Sequence, residues 1–321
     1  MTAIGGFKPA SRRGQRPAIH SIGEFVLSVP DLAPAQHFYG AFGLAVVEEG
    51  DALALRTEAD GYRWGRVVGG PRKAMHHVTF HCFEEDFEPL KHHLEGEGVR
   101  LLDPPPGFPS NGLWIRDPDG LLIEVAVGVK TSPDTKQPVA WEETPSGRRN
   151  APYRRNAHTV QPRRLSHILR FTPDVRAAVA FYSRMLGLRL SDSSGELIAF
   201  MHAVHGSDHH VMAFSKSAAP GLHHLSWDVG TLGDVGLGAM AMAERGYDRG
   251  WGLGRHVLGS NYFHYVRDPW GSYSEYSCDI DYIPATMDWE GLDHPAEDSF
   301  YLWGPQVPPE FIVNAEAETA G

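Results

Sequence analysis

The chain has 321 residues, 42% of them hydrophobic and 21% charged, with a formal net charge of −11 at pH 7. This composition predicts a globular protein with room for two domains, and the acidic balance argues against nucleic acid or an anionic membrane as the main partner. No apolar run reaches the length of a membrane span. A cytoplasmic location is expected by default. The two cysteines, Cys82 and Cys278, are too few for a disulfide framework, which suits a reducing compartment.

One pattern of elements occurs twice along the chain, which indicates a duplicated domain. We expect five segments: an N-terminal extension (1–20), a first domain (21–130), a linker (131–164), a second domain (165–285) and a tail that packs over the second domain (286–321). The linker contains six arginines. We interpret it as a solvated connection or a subunit contact, in preference to a nucleic-acid patch.

Each copy begins with a predicted strand, Glu24–Val29 in the first and His167–Phe171 in the second. A helix follows, capped at its start by Asp31 or Asp174 and ended by a glycine. The order of strand, capped helix and glycine stop is therefore the same in both copies.

A double histidine opens the next strand of each copy, at His76–His77 and at His223–His224, and a second helix is predicted after it. Each copy then closes in a hairpin with the sequence RDPxG. A glutamate follows seven residues after the aspartate of this turn, Glu124 in the first copy and Glu275 in the second. The two copies can therefore be compared position by position.

On these residues the sequence resembles the two-domain type I extradiol catechol dioxygenases of the vicinal oxygen chelate superfamily, over about residues 21–310. The RDPxG hairpin with its glutamate is the most specific shared element. The resemblance implies an α+β fold in which each domain pairs two βαβββ modules and curls a mixed sheet around a cavity. It also implies that only the C-terminal domain is catalytic and that the protein is a homo-oligomer, a dimer or a tetramer.

The resemblance further implies that His167, His224 and Glu275 hold a metal. Two imidazoles and one carboxylate are the ligand set of non-haem Fe(II) oxygenases, and Mn(II) accepts the same ligands. Neighbouring residues on a strand point to opposite faces, so only one of His223 and His224 can enter the cavity. The family pattern selects His224 and leaves His223 as a structural or surface residue.

Three further residues of the second copy resemble the reactive residues of the family. His210 is expected to be the acid–base residue that stabilises reduced oxygen, because an imidazole of near-neutral pKa suits that task. His256 and Tyr265 are expected to hydrogen-bond the substrate oxygens. His209 competes with His210 because the two are adjacent.

The implied partners are O₂ and a catecholic small molecule, which is opened to a muconic semialdehyde-type product. Relatives that take acidic catechols use arginines in the active-site loop and the tail, and this chain has none in the loop at 251–254 or in the tail segment at 299–304. A buried carboxylate without a partner is costly, so we predict a neutral catechol with an alkyl, aryl or hydroxyl substituent. The pocket candidates are Trp251, His209, Phe300 and Trp303.

Two other functions fit parts of the sequence. The first copy places Glu24, His77 and Glu124 at the matching positions, and this set could hold a divalent ion as in glyoxalase-like isomerases or lyases. We favour the interpretation that these glutamates are solvated or paired with arginines. A binding protein that sequesters a small molecule is the second alternative, although its usual single-domain form is shorter than this chain.

Overall fold

The computed structural model describes residues 12–14, 17–141 and 143–318. Most of the predicted N-terminal extension at 1–20, and the last three residues of the predicted tail, lie outside the described residues. In the described part of the chain, no helix combines the length and the apolar character that crossing a bilayer requires.

The first half of the chain forms a seven-stranded mixed sheet with spatial order β2-β3-β4-β1-β5-β7-β6. Its strands are β1 (Ile19–Val29), β2 (Ala45–Glu49), β3 (Ala52–Arg56), β4 (Arg63–Gly69), β5 (Ala74–Cys82), β6 (Leu113–Arg116) and β7 (Leu122–Val127). Two helices connect them, α1 (Leu32–Ala41) and α2 (Glu84–Gly96).

The second half forms a ten-stranded sheet with order β18-β9-β10-β12-β8-β13-β16-β15-β14-β19, and a two-stranded sheet pairs β11 with β17. These strands are β8 (Arg164–Thr172), β9 (Arg189–Ser194), β10 (Ile198–His202), β11 (Ser207–Asp208), β12 (Met212–Lys216), β13 (Gly221–Asp228), β14 (Gly250–His256), β15 (Tyr262–Arg267), β16 (Tyr273–Cys278), β17 (Tyr282–Ile283), β18 (Leu292–Asp293) and β19 (Tyr301–Trp303). The remaining helices are a 3₁₀ turn at Arg154–Asn156, α3 (Val175–Leu186), α4 (Leu232–Glu244), α5 (Ala296–Ser299), a 3₁₀ turn at Pro309–Ile312 and α6 (Ala315–Glu318).

The two sheets confirm the predicted α+β fold of paired βαβββ modules. Each half has a first module, from β1 to β4 and from β8 to β12, and a second module that starts at β5 or β13. The second module of the first half is the least regular, since an isolated bridge from Leu102 to Trp114 stands where the other half has β14. The segment boundaries expected from the sequence remain a prediction.

The predicted helix caps are present in both copies. The carboxylate of Asp31 accepts from the Ala33 backbone N–H at 2.9 Å, and that of Asp174 accepts from the Ala177 N–H at 2.9 Å. Each cap satisfies one of the amides that the first turn of a helix leaves without a partner. Helix α3 then ends at Gly187, whose φ of 76° lies in the left-handed region that glycine adopts readily.

The aspartate of the RDPxG motif closes the turn by accepting hydrogen bonds from the backbone. One carboxylate oxygen of Asp117 accepts from the backbone N–H of Asp119 and of Leu121, at 3.0 and 2.8 Å. Asp268 does the same with the backbone N–H of Trp270 and Ser272. Because these bonds close the turn tightly, the following strand returns into the sheet in a fixed register and carries its glutamate inward.

The two halves share one buried core. The ring of Phe42 stacks on Tyr276 with centroids 3.9 Å apart, and the Tyr276 hydroxyl donates to the Phe42 carbonyl. The Arg170 guanidinium donates to Asp117 at 2.6 Å, and the Tyr182 hydroxyl donates to the same carboxylate at 3.1 Å. The RDPxG aspartate of the first half therefore also joins the two halves.

The tail is built onto the second sheet. Strand β18 extends one edge beside β9, and β19 extends the other beside β14. Phe311 is buried against Trp251, Tyr265 and Tyr273. The tail thus extends both edges of the second sheet, and its Phe311 enters the interior of the second half.

Candidate metal centre and active site

Three neighbouring strands bring the predicted ligands together. In the register of the sheet, His167 on β8 lies opposite Ser226 on β13, and Ser226 lies opposite Glu275 on β16. His224 is two residues before Ser226 and therefore lies on the same face of the sheet. Residues far apart in the chain meet at one point because the two modules place these three strands side by side.

The donor atoms of this group face each other. Nε2 of His167 lies 3.2 Å from Nε2 of His224 and 3.3 Å from Oε2 of Glu275, and Nε2 of His224 lies 3.6 Å from the same oxygen. Ligands about 2.1 Å from a shared ion and at right angles would be roughly 3.0 Å apart. Within the described residues, no other three His, Cys, Asp or Glu side chains place all their donor atoms within 4.8 Å of one another.

The protonation states of the group also suit a cation. Burial alone would raise the pKa of Glu275, but the nearby imidazoles of His167 and His256 hold it well below its usual range. Burial lowers the pKa of His224 well below its ordinary value, so that ring is neutral and offers a lone pair. Oε2 of Glu275 is fully buried without a hydrogen-bond partner. A buried anionic oxygen of this kind is what a metal ion would satisfy.

A cavity of about 70 Å³ opens beside these ligands. His210, His256 and Tyr265 line it, as the sequence predicted for residues that act beside the metal. The rest of the wall is mainly apolar and includes Leu169, Ile198, Phe200, Leu258, Phe300 and Phe311. In the described part of the chain, no arginine or lysine lines this cavity.

His256 and Tyr265 form a coupled pair. Nδ1 of His256 lies 2.8 Å from the carbonyl of Phe300, which can only accept, so this nitrogen carries the proton. Nε2 then accepts from the Tyr265 hydroxyl at 2.9 Å. Burial and the nearby charge of Glu275 raise the pKa of Tyr265 well above its ordinary value, which keeps the hydroxyl protonated as a donor.

His210 packs against the ligand His167, with ring centroids 4.0 Å apart. Burial, followed by the charges of neighbouring histidines, lowers the pKa of His210 well below its ordinary value and below the near-neutral pKa expected of an acid–base residue. His209 lies behind it, with Nδ1 3.0 Å from Nδ1 of His210 and Nε2 2.8 Å from the carboxylate of Asp192. The position of His209 corrects the expectation that it lines the pocket: its hydrogen bond to Asp192 holds it outside the cavity wall.

The aromatic pocket candidates divide into three cases. Phe300 lines the cavity. Trp251 stacks on Phe300 and Tyr265 and donates to the Pro305 carbonyl, so it supports the wall from behind. Trp303 is 43% exposed on the short edge strand β19, against the ring of Tyr262. For Trp303 the expectation was wrong, because that strand turns its side chain outward to solvent.

Of the two places expected for His223, the structure gives it the structural one. This residue is 5% exposed, and its Nδ1 lies 2.7 Å from Nδ1 of His224. Its Nε2 lies 2.9 Å from the carbonyl of Phe311 in the tail. The strand pairing with β8 shifts register between Leu222 and His224, so alternation of side chains holds from His224 to Ser226 but not across His223. Both histidines therefore line the cavity, whereas the sequence predicted that only one could enter it. His223 is therefore a buried partner of His224 and not a surface residue.

Two supporting residues have no signal in the sequence. The side-chain amide of Asn261 donates to Oε1 of Glu275 at 3.2 Å and to the Ser277 hydroxyl at 2.9 Å. Asp192 holds His209 and also contacts His294 of the tail at 3.0 Å. An isolated Asn or Asp in a strand or loop is common, so neither could be singled out without its neighbours in space.

The matching residues of the first half are held differently. Glu24 is paired with Arg63 at 2.7 Å and with Arg66 at 3.0 Å. Glu124 accepts from the Thr79 hydroxyl at 2.6 Å. Burial, followed by the charge of His76, lowers the pKa of His77 to about 3. The structure therefore agrees with an arginine partner for Glu24 and gives Glu124 a hydroxyl partner.

Comparison with known proteins agrees with this geometry. The sequence matches the family described as the Glyoxalase/Bleomycin resistance protein/Dioxygenase superfamily over residues 21–125 and 164–276, which together are more than half of the chain. The chain belongs to this superfamily. It is 50% identical to metapyrocatechase 2 of Cupriavidus necator over 314 residues, covering 96% of this chain and 98% of the relative. The resemblance to extradiol dioxygenases seen in the sequence is thereby confirmed.

More distant relatives extend the comparison. A manganese-dependent 2,3-dihydroxybiphenyl 1,2-dioxygenase of Geobacillus genomosp. 3 is 24% identical over 91% of this chain and 96% of its own length. The solved structure of an extradiol ring-cleaving dioxygenase from B. fuscum matches with a TM-score of 0.73 at 22% identity, over 94% of this chain and 84% of that one. At that identity the structural likeness supports the fold alone.

Proposed function

We propose that this chain is an extradiol dioxygenase that opens a neutral, single-ring catechol with O₂ at a divalent metal held by His167, His224 and Glu275. The observation that carries the proposal is the cluster of these three side chains, whose buried donor atoms face each other beside an apolar cavity. We propose Fe(II) as the resident metal, with Mn(II) as the alternative that the same ligands accept.

When bound, the metal would supply a Lewis-acidic and redox-capable centre on which both reactants can be oriented. The protein contributes the surroundings of that centre. The apolar wall excludes water and holds the catechol ring in one orientation, which lowers the entropic cost of reaction. Asn261 donates to Oε1 of Glu275, the oxygen that does not face the histidine ligands, and so orients this carboxylate.

His210, His256 and Tyr265 are the proposed catalytic residues. Nε2 of His256 and the hydroxyl of Tyr265 form a hydrogen-bonded pair on the cavity wall, placed to receive a proton from a catechol hydroxyl. His210 lines the cavity beside His167 and can exchange a proton with the oxygen of the second reactant. The two groups approach the cavity from different strands, so they can serve the two reactants separately.

The cavity supports a narrower substrate than the sequence did. A carboxylated catechol would bury an anion without a cationic partner in the cavity wall, which costs several kcal/mol. A volume of about 70 Å³ is small beside the 300–1,000 Å³ of common ligand sites and favours one ring over a biaryl. We therefore propose catechol and its small alkyl derivatives in preference to aryl-substituted ones.

Oxygen uptake tests this proposal. Fe(II)-loaded protein, prepared without air, is given catechol, 4-methylcatechol, 3-phenylcatechol and homoprotocatechuate in turn. The first two should consume one O₂ per ring and form a yellow ring-opened product. Homoprotocatechuate should be at least about 100-fold poorer in kcat/KM. Isomerisation without O₂ uptake, or tight binding without turnover, would contradict the proposal and favour a glyoxalase-like enzyme or a sequestering protein.

Metal identity, location and assembly need separate measurements. Elemental analysis of protein purified without air should find one Fe or Mn per chain. Both cysteines are buried and free, which supports the proposed cytoplasmic location. A homo-oligomer, a dimer or a tetramer, stays a prediction that light scattering on the purified protein would test.

A further inference from the structure

The C-terminal tail reaches the candidate ligand His224 through one intermediate side chain. The carbonyl oxygen of Phe311 lies 2.9 Å from Nε2 of His223, and Nδ1 of His223 lies 2.7 Å from Nδ1 of His224. Nε2 of His224 is the atom that faces the other two candidate ligands. Two adjacent imidazoles therefore connect a backbone carbonyl of the tail to the metal centre.

The Phe311 carbonyl determines which nitrogens of His223 and His224 carry protons. A carbonyl oxygen only accepts, so Nε2 of His223 must donate to it, and in the neutral ring Nδ1 of His223 then offers a lone pair. Nδ1 of His224 must donate to that lone pair, which leaves the lone pair of His224 on Nε2. The opposite tautomer of His224 would direct an N–H toward the cavity and could not coordinate a metal.

We propose that His223 is a positioning residue of the metal centre, which fixes the tautomer of His224 and is itself oriented by the Phe311 carbonyl of the tail. The inference rests on the proposed function, because it takes His224 as a metal ligand. The sequence resemblance assigned His223 only a structural or surface place. Its effect passes through His224 and ends in metal affinity.

Packing keeps His223 in this orientation. Its ring lies between those of Phe171, Tyr273 and Phe311, with centroids 5.0, 5.6 and 4.7 Å away. Phe311 is itself buried against Trp251. Rotation of the His223 ring would break both hydrogen bonds and disturb this aromatic cluster. The hydrogen-bonded path from the Phe311 carbonyl through His223 to His224 is therefore part of a packed core that includes the tail.

The first half of the chain offers a matched control. His76 lies beside His77 with the same contact between Nδ1 atoms, at 2.7 Å. His77 packs against the ring of Trp114, and its carboxylate neighbours are held by arginines and a threonine. A change at His76 therefore removes the same kind of histidine pair without touching the candidate ligands.

Binding of Mn(II) alone tests the inference, measured from the EPR signal of free Mn(II) in a titration of metal-free protein. His223→Phe keeps an aromatic ring but removes both nitrogens, and should weaken Mn(II) binding by about 10- to 100-fold. His223→Asn keeps an oxygen that can accept from His224, and should bind more tightly than His223→Phe. His76→Phe should bind like the wild type.

Thermal unfolding of each variant accompanies the titration, and His223→Leu replaces His223→Phe if the latter does not fold. Wild-type affinity in the folded His223→Phe or His223→Leu protein would overturn the inference while leaving the proposed function in place. Equal weakening in His223→Asn and His223→Phe would also overturn it, because simple packing would then explain the loss. A wild-type protein that binds no Mn(II) and no Fe(II) would overturn the proposed function together with this inference.

Discussion

The two halves of the chain place different side chains at the same positions of the same sheet. Glu24 and Glu124 of the first half both lie opposite Thr79, which is two residues after His77. His167 and Glu275 of the second half both lie opposite Ser226, which is two residues after His224, so the two pairs correspond. Glu24 is neutralised by two arginines, whereas Nε2 of His167 lies 3.3 Å from the carboxylate of Glu275. In the first half, protein groups thus take the place of the cation that we propose for the second half.

Two further substitutions complete the difference. Trp114 of β6 stands where the second half has Tyr265, since each lies opposite the glutamate of its half. Arg63 of β4 corresponds to His210 when the pairing of β4 with β1 and of β12 with β8 is extended by two residues. Arg63 pairs with Glu24, and the buried Trp114 packs on His77. In the first half the carboxylates are thus compensated by protein groups, while Oε2 of Glu275 has no hydrogen-bond partner. A buried charge needs a partner, and in the second half the proposed metal would supply it.

The largest contrast is expected from the second histidine of each pair. His224→Ala should abolish metal binding and lower kcat/KM by at least about 10³-fold, because one of three ligands is lost. His77→Ala should keep both the metal and the activity. Metal content and O₂ uptake measure the two effects. Loss of the metal in His77→Ala, and not in His224→Ala, would show that the metal site lies in the first half.

His210 and Arg63 test the reactive positions. His210→Gln should lower kcat by about 10²- to 10⁴-fold, the usual contribution of an acid–base residue, and leave Mn(II) affinity nearly unchanged. Arg63→Gln should leave kcat unchanged, since Arg66 still pairs with Glu24. Steady-state O₂ uptake and the Mn(II) titration separate these outcomes. A drop in metal affinity that accounts for the whole loss of kcat would remove His210 from the chemistry.

The RDPxG aspartates differ in their charge partners. Asp117→Asn keeps the turn but leaves the buried Arg170 without its counterion, which should cost about 3 to 5 kcal/mol in the free energy of unfolding. Asp268 has no such guanidinium partner among the described residues, so Asp268→Asn should cost about 1 kcal/mol. Urea denaturation measures both values. Equal costs would show that the contact between the halves does not depend on this ion pair.

Tyr265 and Trp114 give the smallest contrast. Tyr265→Phe removes the hydroxyl that donates to His256 and should lower kcat/KM by roughly 10-fold, which corresponds to one lost hydrogen bond. Trp114→Phe should leave kcat/KM at the wild-type value. O₂ uptake over a range of substrate concentrations checks the pair. An unchanged Tyr265→Phe enzyme would show that the hydroxyl has no part in the reaction.

Much of the site could be predicted because it depends on local sequence patterns that occur in both halves. Asp174 and the glycine that ends its helix interact only with nearby backbone groups, and so does the RDPxG turn. The local sequence is therefore enough to predict their conformation. The seven-residue spacing to Glu275 follows from that turn and from the alternation of a strand. The family resemblance then selected His167, His224 and Glu275 as one group, and the structure places their donor atoms together.

The roles of His223, His209 and Trp303 could not be predicted in the same way. His223 depends on a register shift beside Leu222 and on a carbonyl 88 residues away in the tail. His209 depends on Asp192, and Trp303 on the direction that a short edge strand gives to its side chain. Such contacts join segments that no local pattern relates.

The sequence by itself determined the duplication, the order of strands and helices, the closing turns and the residue types able to bind a metal. These features depend on hydrogen bonds and side-chain alternation within a few residues. Only the tertiary structure decided which histidine nitrogens face the cavity, which carboxylate oxygen is buried without a hydrogen bond and how the tail contributes to the cavity wall. Those outcomes depend on burial and on partners from distant segments, since a buried polar group takes whichever partner the packed chain brings to it.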